Sequence, residues 1–388
     1  MKATDGGASR EVRIGIIGGG LMGRELMALV GRWPVLVDHP VRPRITALAD
    51  PSPSAQAWFK GAGVSTITDD YQRLLSDPDI DVLYIAVPHH LHEKIYLDAV
   101  EAGKDFLGEK PFGIDLASAK RIAGAIDSSS VFVRVSSEMP FFPGAQRAYE
   151  YARGGALGEI VEVRAGLLHS SDVNRDKPIN WKRQRKYCGE IGVMGDLGMH
   201  VAHLPLRSGW APKSVYALLD DIVPTRKNAE GQEVSADTFD NATLSLKVAT
   251  LRRDGRAFPM QWETKRIAPG NSNSWYFEAL GMEGGVRFNT RTPTTLQIYS
   301  IVDGEQRWSE IQPGYRSVWP TFTGAIFEFG FADALLQMWA TFLAEREGAL
   351  DTGFGTATVH EALASHKVFA AALGSHASNA GVQVDIVG

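Results

Sequence analysis

Cysteine is nearly missing from this sequence. Cys188 stands alone among 388 residues, which excludes an intramolecular disulfide framework and fits a reducing cytoplasm. Long apolar runs are missing too. No stretch approaches the ~20 residues a membrane-spanning helix needs, so no membrane partner is expected. Residues 1–11 are polar and contain glycines, lack the apolar core of a signal peptide, and read as a flexible leader. There is no fixed-period repeat and no low-complexity tract. Neither sign of charge is in large excess. A net charge of −5 argues against nucleic acid as the chain's partner.

What is present is an ordinary globular composition, 44% hydrophobic and 22% charged, in a chain long enough for two domains. The first third alternates strand and helix patterns, which implies a parallel sheet and a Rossmann-like domain over residues 12–138. It opens on the apolar run Arg13 to Ile17, followed by Gly18-Gly19-Gly20-Leu21-Met22-Gly23 and a helix to about Arg32. Gly18, Gly20 and Gly23 fit G-x-G-x-x-G, the dinucleotide fingerprint. The first glycine permits a tight turn, the second lets backbone approach a pyrophosphate, and the third lets helix and strand pack closely. The helix N-terminus, including Leu21 and Met22, offers N–H groups to phosphate. A proline-rich connection, Trp33 to Pro43, precedes the second strand. That strand ends at Asp50, whose carboxylate suits ribose hydroxyls and would repel a 2′-phosphate. NAD is therefore expected rather than NADP. A strand-ending turn aspartate before Pro51 is the plainer alternative.

From residue 139 to 388 strand-like runs follow one another, with helices at 144–153, 194–208, 332–347 and 358–373. This predicts an α+β domain with a large, mostly antiparallel open sheet, its last helix packing back on the first domain. An uncovered sheet face points to a homodimer or homotetramer.

Three stretches can carry chemistry. Glu109-Lys110-Pro111 lies at the carboxyl end of a parallel strand, where such sheets bind ligands. There Lys110 can hold a substrate oxygen, and burial beside another cation would lower its pKa. A solvated loop lysine is the alternative. In Gly192 to His200, Asp196 and His200 stand four apart on a helix, within mutual reach, so the carboxylate can orient the imidazole. A capping aspartate with a core histidine is the competing reading. Between Asn174 and Tyr187 the chain runs NRDKPINWKRQRKY, with Arg175, Lys177, Lys182, Arg183, Arg185 and Lys186 against Asp176. Such a run suits an anionic substrate or, equally, a solvated loop.

Taken together these residues resemble the Gfo/Idh/MocA (glucose–fructose oxidoreductase / inositol dehydrogenase) family. The resemblance rests on the glycine turn with Asp50, on Tyr84 to Pro88 with His92, and on Gly103-Lys104 with Glu109-Lys110-Pro111. Trp181-Lys182 ahead of Asp196 and His200 extends it along nearly the whole length. It implies a Rossmann domain followed by a sheet domain that often mediates oligomers. It also implies catalytic Lys110, Asp196 and His200, with Pro111 positioning the lysine. Pro88, His89, His92 and Glu109 would stand near the cofactor. Apart from the resemblance, the position of the basic run directly ahead of the catalytic motif makes Trp181, Lys182, Arg183 and Arg185, with His203, the candidate substrate contacts.

His89 stands where asparagine is common, and His203 where an aspartate often follows the catalytic histidine. The Trp33–Pro43 insertion is atypical. No metal is expected, because His89, His90 and His92 lack a completing ligand and the family needs none. The activity implied is NAD-dependent removal of hydride from a secondary carbinol of a sugar. A redox-neutral, NAD-dependent glycosidase, sulfoquinovosidase-like, and a non-catalytic NAD sensor on the same scaffold are the alternatives.

Overall fold

The computed structural model describes residues 9–248, 255–314, 317–350 and 354–386. The first unit runs β1 (Arg10–Ile17), α1 (Leu21–Arg32), β2 (Val41–Ala49), α2 (Pro53–Gly61), β3 (Thr66–Thr68) and α3 (Gln72–Leu75). It continues through β4 (Val82–Ile85), α4 (His92–Glu101), β5 (Asp105–Gly108), α5 (Leu116–Asp127) and β6 (Val133–Val135). Its six strands pair in parallel in the order β3-β2-β1-β4-β5-β6. The order reverses direction between β1 and β4, and a crevice opens at their carboxyl ends. Helices cover both faces, so β4 is buried along its whole length. Asp115 and Ser118 form a reciprocal cap that starts α5.

Two expectations are corrected here. Residues 1–8 of the leader lie outside the described residues, and β1 already begins at Arg10, which pairs with Val41. The Trp33–Pro43 connection is shorter than its prolines suggested. Trp33 to Val35 make one 3₁₀ turn, the Trp33 indole donates to the Val41 carbonyl at 2.9 Å, and β2 starts at Val41. Pro43 is tolerated within β2 because β3 pairs only with Ala47 to Ala49, leaving no partner at Pro43 on that side.

The second unit comprises α6 (Pro143–Arg153), β7 (Ile160–His169), α7 (Arg185–Cys188), α8 (Gly192–Arg207), β8 (Pro212–Asp220), β9 (Thr225–Lys227), β10 (Glu233–Ser235) and β11 (Asn241–Val248). Then come β12 (Phe258–Lys265), β13 (Asn273–Gly281), β14 (Gly285–Asn289), β15 (Leu296–Val302), β16 (Glu305–Ile311), α9 (Phe331–Arg346), α10 (Val359–Ser378) and β17 (Val382–Gln383). Nine strands form one sheet, β16-β15-β14-β13-β7-β12-β11-β8-β17, antiparallel except for the β7–β12 pair. Ala242, Leu244, Leu246 and Val248 of β11 point into the core while their neighbours face outward, the alternation of a sheet covered on one side. Buried α8 lies on the covered face. The last helices reach back to the first sheet: Trp339 of α9 packs edge-on against Tyr84, and α10 lies along α5. No helix among the described residues is long and apolar enough to cross a membrane.

Candidate active site

A cleft of about 1040 Å³ separates the carboxyl ends of β1, β4, β5 and β6 from α8 and the covered face of the large sheet. Its first wall is the glycine turn. Gly18 has φ +102°, and a Cβ there would meet the Ala86 carbonyl oxygen at 2.3 Å. A Cβ on Gly23 would lie 2.4 Å from the Gly18 oxygen, yet one on Gly20 would meet nothing within 4 Å. Two glycines are thus required by packing, and the third leaves the mouth of the turn open. Gly20 caps α1 without any side-chain bond, so the first helical N–H groups, at Leu21 and Met22, lack intrahelical partners. Gly18, Gly20, Leu21 and Met22 line the cleft, whereas Gly23 lies behind it. An open, donor-rich cradle of this kind fits a dinucleotide pyrophosphate.

Asp50 also lines the cleft. Its two carboxylate oxygens accept from the backbone N–H groups of Gly19 and Ser52, both at 2.7 Å, which ties the glycine turn to the end of β2. Asp69 stands in the same wall, and Lys94 there is paired with Asp98 at 2.7 Å. Two carboxylates at this end disfavour a 2′-phosphate.

Pro88, His89, Glu109 and Lys110 continue the wall. Glu109 accepts from the Tyr84 hydroxyl at 2.6 Å, and its carbonyl accepts from Tyr96 at 2.6 Å. The His89 ring meets Trp181 edge-on at 4.7 Å. His92 does not reach the cleft. It is fully buried, with its nitrogens 2.7 Å from the Pro111 carbonyl and 2.9 Å from that of Val87. It fastens the loops after β4 and β5, a supporting place instead of contact with a cofactor.

Lys110 donates to the Asp196 carbonyl at 2.7 Å and to its carboxylate at 3.2 Å. Lys182 reaches the same carboxylate at 2.9 Å, and Arg266, just past β12, at 3.1 Å. Burial would raise the Asp196 pKa, but Lys182, Lys110 and Arg266 outweigh it and hold it well below the ordinary carboxylate range. Two expectations change with this arrangement. Burial lowers the Lys110 pKa, yet Asp196, Glu109 and Glu138 more than offset it, so the net shift is upward and the amine stays an ammonium. Asp196 also does not orient His200. No hydrogen bond joins them among the described residues, because the carboxylate is committed to three cations. The His200 carbonyl accepts from the Trp275 indole at 2.8 Å, and the ring Nδ1 is buried without a partner among the described residues. Burial and Lys110 push His200 well below its usual pKa, leaving it neutral.

The basic run is largely consumed inside the protein. Trp181, Lys182 and Lys177 line the cleft, but Lys177 pairs with Asp172 at 2.7 Å. Arg183 is completely buried between Asp172 and Asp240, so it is a core ion pair and no substrate contact. Arg185 is exposed outside the cleft, its N–H bonded to Asp237 at 2.6 Å. His203 is fully buried against Phe354, one turn past His200 on a face of α8 that looks away from the cleft. Sequence reasoning missed Glu138, His169, Arg266 and Asn273, all in the cleft. Glu138 follows β6 at the carboxyl end of a parallel strand, the position that singled out Lys110. Arg266 and Asn273 follow β12 and open β13 with no local pattern to mark them. Among the described residues no group of three His, Cys, Asp or Glu side chains could hold a metal ion.

Residues 12–137 match the family model described as oxidoreductase family, NAD-binding Rossmann fold. The chain is 28% identical over 338 residues to a levoglucosan dehydrogenase of Pseudarthrobacter phenanthrenivorans, covering 83% of this chain and 82% of that protein. It is 30% identical over 186 residues to a D-xylose 1-dehydrogenase (NADP⁺) of Hypocrea jecorina, about 46% of each. Among solved structures, a levoglucosan dehydrogenase in complex with NADH and L-sorbose superimposes with a TM-score of 0.86 and 25% identity, over 97% of this chain and 99% of that one. An NAD-binding oxidoreductase from Klebsiella pneumoniae, 23% identical over 97% of this chain and 99% of its own, shares the fold with a TM-score of 0.85.

Proposed function

The chain belongs to the Gfo/Idh/MocA oxidoreductase family through its NAD-binding domain, and on that premise we propose that it oxidises a secondary alcohol carbon of a sugar or sugar derivative. The carrying observation is one cleft that joins the open glycine cradle to Lys110, Asp196 and His200. Gly20, Leu21, Met22 and Asp50 would hold NAD, which when bound supplies acceptance of the carbinol hydride. The chain's own residues do the rest. Lys110, kept protonated, holds the substrate oxygen and stabilises charge that develops there. Asp196 fixes the ammonium, and neutral His200 takes the hydroxyl proton. Trp181 offers an aromatic face to a sugar ring.

The internal pairing of Lys177, Lys182 and Arg183 favours a neutral sugar over an anionic one. The redox-neutral glycosidase reading has one observation behind it, a carboxyl in the same cleft, Glu138, that burial raises to about 7 so that it can exchange a proton near neutral pH. Incubation with NAD and a panel of neutral and anionic sugars and glycosides separates the two. NADH formed in step with sugar oxidised supports the dehydrogenase. Aglycone release without NADH supports the glycosidase, and tight NAD binding without turnover on any sugar leaves only a sensor. We further propose a homodimer or homotetramer built on the open sheet face, where Tyr216 and Leu218 are exposed. Light scattering of the purified protein tests it.

A further inference from the structure

His200 is placed for base chemistry but lacks its expected support. Its Nδ1 is buried with no hydrogen-bond partner among the described residues, which leaves Nε2 as the nitrogen turned toward the cleft. The carboxylate behind Nδ1 is Glu138, with Oε2 at 3.8 Å. Glu138 arrives from the other domain, just beyond β6, and is 4% exposed. The groups facing this pair are Tyr84 of β4, Glu109 and Lys110 after β5, His169 at the end of β7, and Asp196 and His203 of α8. Of these, Asp196 is bound by three cations and Glu109 by Tyr84. Glu138 is the carboxylate left to serve the imidazole.

We propose that Glu138 is the positioning carboxylate of His200, holding Nδ1–H so that the Nε2 lone pair meets the substrate hydroxyl. The inference rests on the dehydrogenase reading given above. In oxidation the substrate O–H bond breaks and an Nε2–H bond forms, while the Nδ1 proton is held by Glu138 or passes to its Oε2. The pair later returns one proton to solvent. Contact requires the 3.8 Å gap to close by about 1 Å, and apo catalytic hydrogen bonds are commonly long in this way.

Protonation of Glu138 would reverse the arrangement. A carboxylic acid donates to Nδ1, the neutral ring must then carry its proton on Nε2, and the base is lost. Burial, reinforced by Glu109, raises Glu138 to about 7. Oxidation is therefore expected to fall as pH drops through about 7, and sugar formation in the reverse direction to gain there.

The test compares wild type, Glu138→Gln and Glu138→Asp in two independent readouts. The first is ¹⁵N NMR of the histidine rings in the cofactor-free protein, with His200 assigned by its loss in His200→Asn. The His200 signals should change with a midpoint near pH 7 in wild type and lose that step in Glu138→Gln. The second is the pH profile of oxidation. Glu138→Gln should lower kcat by on the order of 10–100-fold with KM little changed and flatten the acid limb. Glu138→Asp should restore a limb, which also guards against a Gln variant that fails to fold. A wild-type step and limb in Glu138→Gln overturn the proposal. If wild type turns over no sugar, the dehydrogenase reading fails, and the NMR step alone still decides the Glu138–His200 pairing.

Discussion

Three cations share the single carboxylate of Asp196, and only Lys110 among them is also adjacent to the cofactor wall through Glu109. Lys110→Ala should therefore cut turnover by on the order of 10²–10⁴-fold. It should leave NADH affinity, read by fluorescence titration, nearly intact, because the glycine turn and Asp50 are untouched. Retained turnover, or lost NADH binding, would remove the lysine from its role. Strand-end and i,i+4 positions marked Lys110, Asp196 and His200 as candidates along the chain, and only the family resemblance joined them as a set. Their pairing was not legible. The helical spacing of Asp196 and His200 suggested a mutual bond, whereas the winning partners, Lys182, Lys110 and Arg266, are 14, 86 and 70 residues away in sequence. Local spacing carries no information about such contacts. Glu138 was passed over differently: the strand before it was legible, but nothing local ties its carboxylate to His200.

At the scale of elements, the glycine turn separates folding from binding. Gly18→Ala places a Cβ at φ +102° against the Ala86 oxygen, so a loss of about 1–3 kcal/mol from backbone strain is expected before the clash is counted. Gly20→Ala, at φ −72° and facing open space, should keep the wild-type melting temperature and weaken NADH binding. Equal thermal losses in both variants would refute the division. Elsewhere, Glu361 caps α10 through Thr358 and forms a two-point pair with Arg207 at the end of α8, at 2.5 and 2.7 Å. Burial would raise its pKa, but Arg207 prevails and lowers it to about 2. A carboxylate depressed in the folded state stabilises above its unfolded pKa, and that stability drains as pH falls from about 4.5 toward 2. The interval corresponds to about 3 kcal/mol. Glu361→Gln should cost about that much at pH 7 and progressively less at pH 3, read by thermal melts at both values. A loss independent of pH would point to packing instead. β11, which alternates strictly, and β7, a long apolar run, were legible from sequence. The short β9 and β10 and the edge strand β16, exposed along almost its whole length, lacked the apolar pattern that marks a strand.

For the whole molecule, the two sheets do not behave as separate cores. One contiguous apolar cluster includes Ile14 and Leu48 of the first sheet and Trp262 and Phe277 of the second. α9 is fixed to the first unit at both ends, by Arg32–Asp333 at 2.6 Å and Arg346–Asp105 at 2.7 Å. The segment before α10 bonds to the edge of β6, where the Val135 N–H donates to the Ala357 carbonyl at 2.9 Å. The candidate site is assembled across the same seam, with Lys110 and Glu138 from one side and Asp196, His200 and Arg266 from the other. Loss of either sheet would expose the shared cluster, so neither is expected to persist alone. Calorimetry should therefore show one transition, with an enthalpy of about 270 kcal/mol by the per-residue average. Saturating NADH should move that whole transition upward, by about 2.7 kcal/mol of stability at 100 times Kd. Two resolved transitions, only one of them shifted by NADH, would show instead that the domains unfold independently and that the seam through the cleft is weaker than its packing implies.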